Sequence, residues 1–575
     1  MKNKSDCSSE TKEYAPYLRV KKINGNLYLY EVTDHYNPVT KRKKQSSKYI
    51  RKILSHEDLD HLTKEPPPSP IEVPKLKQIV SYGDAFLFSQ LVEEIGLQKI
   101  LLECFSTEEA NLLLLLVAYR LLEKQSISHL SSWIETTDLK TLYPYEKSLS
   151  SHAISNALSN IGETAEETIP HFLLHWSQTI NKEGDSLLFD ITSFTSQAKR
   201  MEELEMGYAK DHSPYPQINV GVLVNQEQHL PLYYKIYPGS LKDVSLLSNM
   251  VEETSLLGIP SIHFILDRGF YSGYNLGKLH AEKHSFLLPL PRTAKKLYQQ
   301  IVTREEPLES PDHLFLWKGK PLYAVTGYME YPCLRSVSTQ PTTKKKKEEA
   351  EAEENHSTST TFPLFYGLYL DPQRKQQEET AFLTDLLYVE EALQDIEWSL
   401  IPTKKKREEI WKETTGKWES YFTLQHTKNT FQVCKNAQAM KDTTQYFGVM
   451  ILLSSTPSDG KTLLEQYKQR EAVEKLFDAG KNELQFQPLR VHSSNTMKSI
   501  LFVLFLSLIV QTYLLGKMKT GQVDTKYSIH SVFFELHKLK KAIWKGQVCI
   551  INEITKTQRL LFKQLKVFLP KFAGN

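Results

Sequence analysis

A multidomain α/β protein is the fold class that the sequence predicts, on three observations. The chain has 575 residues, too many for one core and enough for roughly three or four domains. Between residues 82 and 180 apolar side chains recur at helical spacing. From residue 186 the texture changes to short, β-branched apolar runs with one helix among them.

Composition narrows the class further. Charged residues make up 24% and hydrophobic ones 40%, ordinary values for a globular protein and unlike a disordered chain. Net charge is only +3, yet it is unevenly spread. Residues 1–55 hold 13 Lys/Arg against 5 Asp/Glu, and residues 517–575 hold 12 against 3. Two basic ends around an acidic middle suit a polyanionic partner. The five cysteines, Cys7, Cys104, Cys333, Cys434 and Cys549, have no metal-ligand spacing and suit a reducing cytoplasm. The polar N-terminal stretch reads as no secretory signal.

Taken in order, "YLRVKKINGNLYLYEVT" at 17–33 sets an Asn24-Gly25 turn between two alternating runs, a strong hairpin signal. "KRKK" follows at 41–44, which makes the β element basic. "EPPPSPIEVP" at 65–74 reads as an extended linker, because repeated prolines deny both helix and ladder hydrogen bonds. The helical stretch ends in "SLSSHAISNALSNIGET", which could serve as a recognition helix, although short helix pairs occur in any helical domain. Then "SLLFDITSF", "QINVGVLVN" and "LPLYYKIYP" are three strands. A helix opened by Ser240, with Asp243 three residues on as a capping box, leads to a fourth strand, "SIHFILD". Many Tyr/Phe/Trp runs follow, interrupted by the charge run "KKKKEEAEAEEN" at 344–355, and "FGVMILLSS" at 447–455 is the next core strand. Trp317, within the aromatic runs, could stack on a base, against the plainer role of a core residue. "ILFVLFLSLIVQTYLLG" at 500–516 includes Ser507, Gln511 and Thr512 and falls short of the roughly 20 residues of a membrane span. It reads as a buried core helix.

Two carboxylates interrupt this pattern. Asp190 lies inside the first apolar strand and Asp267 ends the fourth, and a charge in a buried strand needs a counter-charge or a metal. If the fourth strand lies beside the first, the two carboxylates reach one site. The helix after 455 carries Tyr467, Arg470, Glu474 and Lys481, which fall within roughly 60° of arc at about 100° per residue. Three converging carboxylates would hold hard divalent cations, Mg²⁺ foremost. The plainer readings are an Arg470–Glu474 surface pair and an Asp267–Arg268 neighbour pair. Asp185 and Glu471 are further acidic candidates that spacing leaves open.

The strand, strand, strand, helix, strand order with Asp190 and Asp267, followed by Tyr-x2-Arg-x3-Glu-x6-Lys, resembles the DDE transposases of the insertion sequence 4 superfamily. The N-terminal hairpin, the helical region and "DRGFYSGYNL" at 267–276 resemble its insertion sequence 1634 group. The resemblance implies a ribonuclease H-like catalytic core, a mixed sheet with flanking helices, interrupted by a mostly β insertion. It assigns Asp190, Asp267 and Glu474, rather than Asp185 or Glu471, as catalytic metal ligands for two Mg²⁺ ions, with Mn²⁺ as a substitute. Tyr467, Arg470, Lys481 and Arg268 become DNA contacts. Gly480 departs from a regular helix and puts the reach of Lys481 in question.

The implied layout is a basic hairpin region at 1–64, a linker at 65–80 and a DNA-end-binding helical domain at 81–182. The core occupies 183–290 and 446–516, the insertion with its charged loop (343–357) occupies 291–445, and a basic region closes the chain at 517–575. The implied activity is metal-dependent cleavage at transposon ends and strand transfer into target DNA. The implied partners are double-stranded DNA, both terminal inverted repeats and target, and a second copy of the chain in a synaptic homodimer. No membrane is involved, and the expected location is cytoplasmic and nucleoid-associated. The competing expectations are a nuclease of the same core that does not join strands, and a catalytically inactive DNA-binding descendant. The intact Asp, Asp, Glu set argues against the second.

Overall fold

The computed structural model describes residues 12–37, 40–54, 76–180, 186–198, 201–207, 215–241, 243–256, 262–304, 307–333, 361–427, 430–544 and 549–570. The Pro-rich stretch at 65–74, the charge run at 344–355, Cys7 and Asp185 lie outside these residues. The chain divides into two compact units, Met1–Gln78 with Ala542–Cys549, and Ile79–Lys541 with Ile550–Asn575.

In the smaller unit, β1 (Lys12–Glu13), β2 (Tyr17–Ile23), β3 (Asn26–Asn37) and β4 (Arg42–Ile53) form an antiparallel sheet around β3. Asn24 and Gly25 both have positive φ, 50° and 80°, as the expected two-residue hairpin turn requires. Every residue of β4 except Ile53 is exposed, so its lysines and arginines stand in solvent.

The strand β5 (Leu76–Ser81) runs into the larger unit and leads to a helical region: α1 (Gly83–Glu94), α2 (Leu97–Cys104), α3 (Thr107–Leu122), α4 (Ser151–Glu163) and α5 (Ala165–Ile180). Ser106 and Glu109 form a capping box at the start of α3, satisfying two otherwise unpaired amides. Beyond α5 the chain builds one nine-stranded sheet. Its strands are β6 (Ser186–Thr195), β7 (Gln217–Asn225), β8 (Pro231–Pro238), β9 (His263–Ile265), β10 (Ser285–Pro289), β11 (Leu314–Trp317), β12 (Lys320–Pro332), β13 (Thr361–Leu370) and β16 (Val449–Ser454). They lie in the order β11-β12-β13-β16-β10-β9-β6-β7-β8. The two-stranded β14 (Phe422–Thr427) and β15 (Thr430–Lys435) stand apart from it. Strands β6, β7 and β8 run antiparallel in sequence, whereas β9 pairs parallel to β6 and β10 parallel to β9. All nine residues of β7 are buried, which suits its apolar stretch Val220–Val224.

The helix between β8 and β9, α6 (Asp243–Leu256), starts at Asp243. Ser240 donates its hydroxyl to Glu205, and the expected capping box with Asp243 falls on side chains of 242–244, which lie outside those described. After β9 come α7 (Gly273–Ala281) and, past β10, α8 (Lys295–Arg304).

Residues 291–445 correct the expectation of a mostly β insertion. Among the described residues α8, the 23-residue α9 (Pro372–Gln394), α10 (Lys404–Thr415) and α11 (Ala437–Thr444) outweigh the strands. Asp371 caps α9 with Pro372 in its first turn, and the Gln/Glu-rich run beyond is built of strong helix formers. The aromatic-rich β12 and β13 are not a separate body either: β13 pairs with β16 and so extends the main sheet.

One helix among the described residues, α14 (Ser494–Thr520), is long and apolar enough to cross a membrane, but 78% of its apolar window is buried inside the protein. It packs against α1, α3, α4, α5 and β8, joining the helical region and the sheet in a single core. A Cβ on Gly162 of α4 would stand 2.1 Å from the Asn495 carbonyl oxygen, so only glycine permits this approach. Ser499 donates to the Leu158 carbonyl at 2.7 Å beside it.

Candidate active site

The register of β6 and β9 sets the site. Leu188 lies opposite Ile265 in the parallel pair, and two residues further along each chain stand Asp190 and Asp267, at the same end of neighbouring strands. Asp190 is 4% exposed; its Oδ1 accepts from the Ile191 amide at 2.8 Å. Asp267 caps a short 3-10 turn through the Arg268 amide at 2.7 Å.

The third group arrives from β16. Asp459 accepts from the amides of Lys461 and Thr462, both at 3.0 Å, and starts α12 (Gly460–Lys468). The added strands brace this start. Tyr369 of β13 donates to the Gly460 carbonyl at 2.6 Å, and a Cβ on Gly460 would lie 3.0 Å from Ala324 Cβ of β12. The chain then turns at Gln469 and Arg470 into α13 (Glu471–Asp478), which ends in one π turn, Ala479–Glu483.

Arg470 stands where these segments meet. Its Nη1 donates to Asp190 Oδ2 at 2.8 Å, its Nη2 lies 3.9 Å from Asp267 Oδ1, and Nη2 also donates to Glu474 Oε1. The guanidinium is 12% exposed. Burial alone would lower its pKa, but Asp190 and then Asp267 outweigh burial and raise it above the ordinary arginine value. Tyr467 hydrogen-bonds Arg470, and its phenol is raised by burial first, then by Asp267 and Glu474, with Arg470 opposing. Three carboxylates therefore share one cation.

Among the described residues no cluster of His, Cys, Asp or Glu already stands in metal-ligating geometry, because the guanidinium lies between the carboxylates. The donor set nevertheless fits a hard divalent ion. All three groups offer carboxylate oxygens, and three anions against one guanidinium leave a formal charge of −2 for a cation to balance.

Other residues singled out in the sequence fall elsewhere. Lys481 leaves the cluster, because the π turn changes its direction; its Nζ lies 5.5 Å from the Phe194 ring centroid and faces a separate cavity. The Arg268 side chain is exposed and forms no ion pair with Asp267 among the described residues. Glu471, 4.0 Å from Lys468, faces away from Asp190, and Asp185 lies outside the described residues.

Glu471 faces a cleft of about 1290 Å³ behind α12 and α13, lined by Lys461, Lys468 and Lys475 from those helices and by Lys318, Lys517, Lys519 and Lys566. Glu227, Glu465 and Glu471 are its carboxylates. His229 reports the positive field: burial first, then Lys519 and Lys475, hold its pKa below the ordinary histidine value. Trp317 lines the same cleft, half-buried against the core. No linear run marks these lysines, but 461, 468 and 475 recur every seven residues in the sequence, the spacing of one helical stripe, although the structure divides them between α12 and α13.

No curated protein matches the chain. Among solved structures it is similar to a piggyBac transposase synaptic complex with hairpin DNA, seen by cryo-EM, at 11% identity and a TM-score of 0.36 over 79% of this chain and 78% of that one. The family model described as Transposase DDE domain matches residues 185–510, from the start of β6 through Glu474 and into α14. That match spans more than half of the 575 residues, and the chain belongs to the Transposase DDE domain family.

Proposed function

We propose that the protein is a cut-and-paste transposase of the insertion sequence 4 superfamily, within its insertion sequence 1634 group, that cleaves DNA at transposon ends and joins them to target DNA. The observation that carries this reading is the convergence of Asp190, Asp267 and Glu474 on Arg470. The order β8-β7-β6-β9-β10, three antiparallel strands followed by two parallel ones, supports a ribonuclease H-like core.

In this reading Asp190, Asp267 and Glu474 are the catalytic residues and would hold two divalent ions, Mg²⁺ or Mn²⁺. When bound, these supply a lowered pKa for the attacking water or 3′-hydroxyl and stabilise the leaving oxygen. The chain's own residues position the DNA. Arg470 offers a planar fork that matches two oxygens of a phosphate, and Tyr467 steadies it by hydrogen bonding. Arg268, exposed beside Asp267, and Lys481 contact the backbone further along. The lysine cleft and the exposed β4 cations supply sequence-independent attraction to duplex DNA. The working assembly is a homodimer bridging two ends, in the cytoplasm at the nucleoid.

The test is incubation of the full chain with Mg²⁺, a labelled duplex copying the terminal repeats that flank its gene, and a supercoiled plasmid. Cleaved ends joined to the plasmid are the expected product. Cleavage without joining would favour a nuclease, and binding without cleavage an inactive end-binding protein.

A further inference from the structure

A second cavity, of about 540 Å³, lies between the helical region and the turn that carries Lys481. Arg120 from the end of α3, Lys481 from the π turn and Arg490 from the segment before α14 line it, together with Ser151 and Ser155 from the first turns of α4. No aspartate or glutamate is among the lining residues. The Arg120 guanidinium stacks 4.9 Å from the Phe486 ring centroid and reaches the Gln125 carbonyl at only 3.5 Å. Its pKa is lowered, first by burial and among neighbouring charges by Arg490. Arg490 is exposed and has no ion pair among the described residues. Two like charges thus face one hollow without a carboxylate, beside the positive end of a 13-residue helix.

Such a site is complete only with an anion. We infer that the cavity takes backbone phosphates of the transposon-end strand, with Arg120 and Arg490 as phosphate donors beside Lys481. This rests on the transposase reading, since Lys481 follows Glu474 within the same helical segment and one strand would cross both places. The cavity explains why Lys481 turns away from the carboxylates: it belongs to a phosphate seat and not to the cluster.

The experiment compares the parent with Arg120→Gln, Arg490→Gln and Ser155→Glu, using the terminal-repeat duplex in Ca²⁺. Ser155 is exposed, so its variant tests the cavity even if Arg120→Gln folds poorly. Each arginine variant is expected to lower the slope of log K against log salt by about one and affinity roughly three- to tenfold, and Ser155→Glu to lose affinity similarly. Parent-like affinity and slope in Arg490→Gln and Ser155→Glu would overturn the inference. Calorimetric binding of inorganic phosphate by the parent, lost in Arg490→Gln while duplex affinity stays unchanged, would reassign the cavity to a small anion and overturn it too. A parent that binds no end duplex brings down the transposase reading itself, and these outcomes are distinct.

Discussion

Arg470→Ala separates the two duties of the guanidinium. In the folded protein it is the counter-ion of Asp190, whose side chain is 6% exposed, at 2.8 Å. Removing one partner of a buried pair costs about 3–5 kcal/mol. Glu474 at 56% and Asp267 at 31% exposure add only ~0–1 kcal/mol each, so Asp190 sets the magnitude. For a unit comprising Ile79–Lys541 and Ile550–Asn575, unfolding entropy of ~2.1 cal/mol/K per residue makes each kcal/mol worth about 1 °C. In EDTA the variant should therefore melt about 3–5 °C below the parent. The sign reverses for metal. The parent must give up charged hydrogen bonds of about 1.5–3 kcal/mol before the carboxylates can turn to a cation, so DNA-free Arg470→Ala should bind Mn²⁺ roughly 10- to 100-fold more tightly. Added Mn²⁺ should then close most of the melting gap, while end cleavage stays lost because the phosphate fork is gone. Scanning fluorimetry with and without Mn²⁺, plus calorimetry without DNA, reads both quantities. Equal melting in EDTA together with unchanged Mn²⁺ affinity would refute the counter-ion argument.

Asp190→Asn, Asp267→Asn and Glu474→Gln should each abolish end cleavage in a gel assay while retaining specific end binding, with Glu471→Ala active as the control; cleavage by any one of the three removes that residue from the set. Changing Lys43, Lys44, Lys48 and Lys52 to glutamine, all exposed on β4, should flatten the salt slope of duplex binding by up to about three or four, and an identical slope would dissociate β4 from DNA. His263 has a pKa depressed by burial to about 4, so the unfolded chain takes up a proton near pH 6.5 that the folded chain refuses. Stability from this group is full above pH 6.5 and falls by up to about 3 kcal/mol as pH drops through 6.5 towards 4. His263→Gln should flatten that part of the urea-denaturation profile, and a parallel profile would exclude His263 as its source.

Local chemistry made some of this legible before any fold was known. The Asn24-Gly25 turn needs left-handed backbone that few other pairs tolerate, and the charge at Asp190 inside a buried strand demands a partner wherever it lies. The sequence leaves the pairing of β6 with β9 as a condition for Asp190 and Asp267 to share a site, and the structure meets that condition. The features that the sequence does not carry depend on distance or on backbone detail. An α-helical period puts Lys481 on the face of Glu474, and the π turn at Ala479–Glu483 breaks that period. The helices of 291–445 are obscured in the sequence because the Tyr/Phe runs of β12 and β13 carry a stronger periodic signal than the Gln/Glu-rich α9. Arg120 and Arg490 are 370 positions apart and meet only because α14 draws the helical region onto the sheet.

The ion pair between Asp190 and Arg470 spans 280 positions of sequence, which gives the site a place in time as well as in space. During synthesis at roughly 5–20 residues per second, Asp190 leaves the ribosome about 15–60 s before Arg470 does. All nine strands of the sheet, β16 included, precede Arg470 in the chain, whereas α14 can cover both layers only after that interval. A nascent or prematurely ended chain holds β6 with a carboxylate that has no guanidinium to meet it, a state in which burying the strand is unfavourable. A fragment lacking the last fifth of the protein lacks both Arg470 and the α14 cover, and it should be a client of chaperones and proteases, not a partial enzyme.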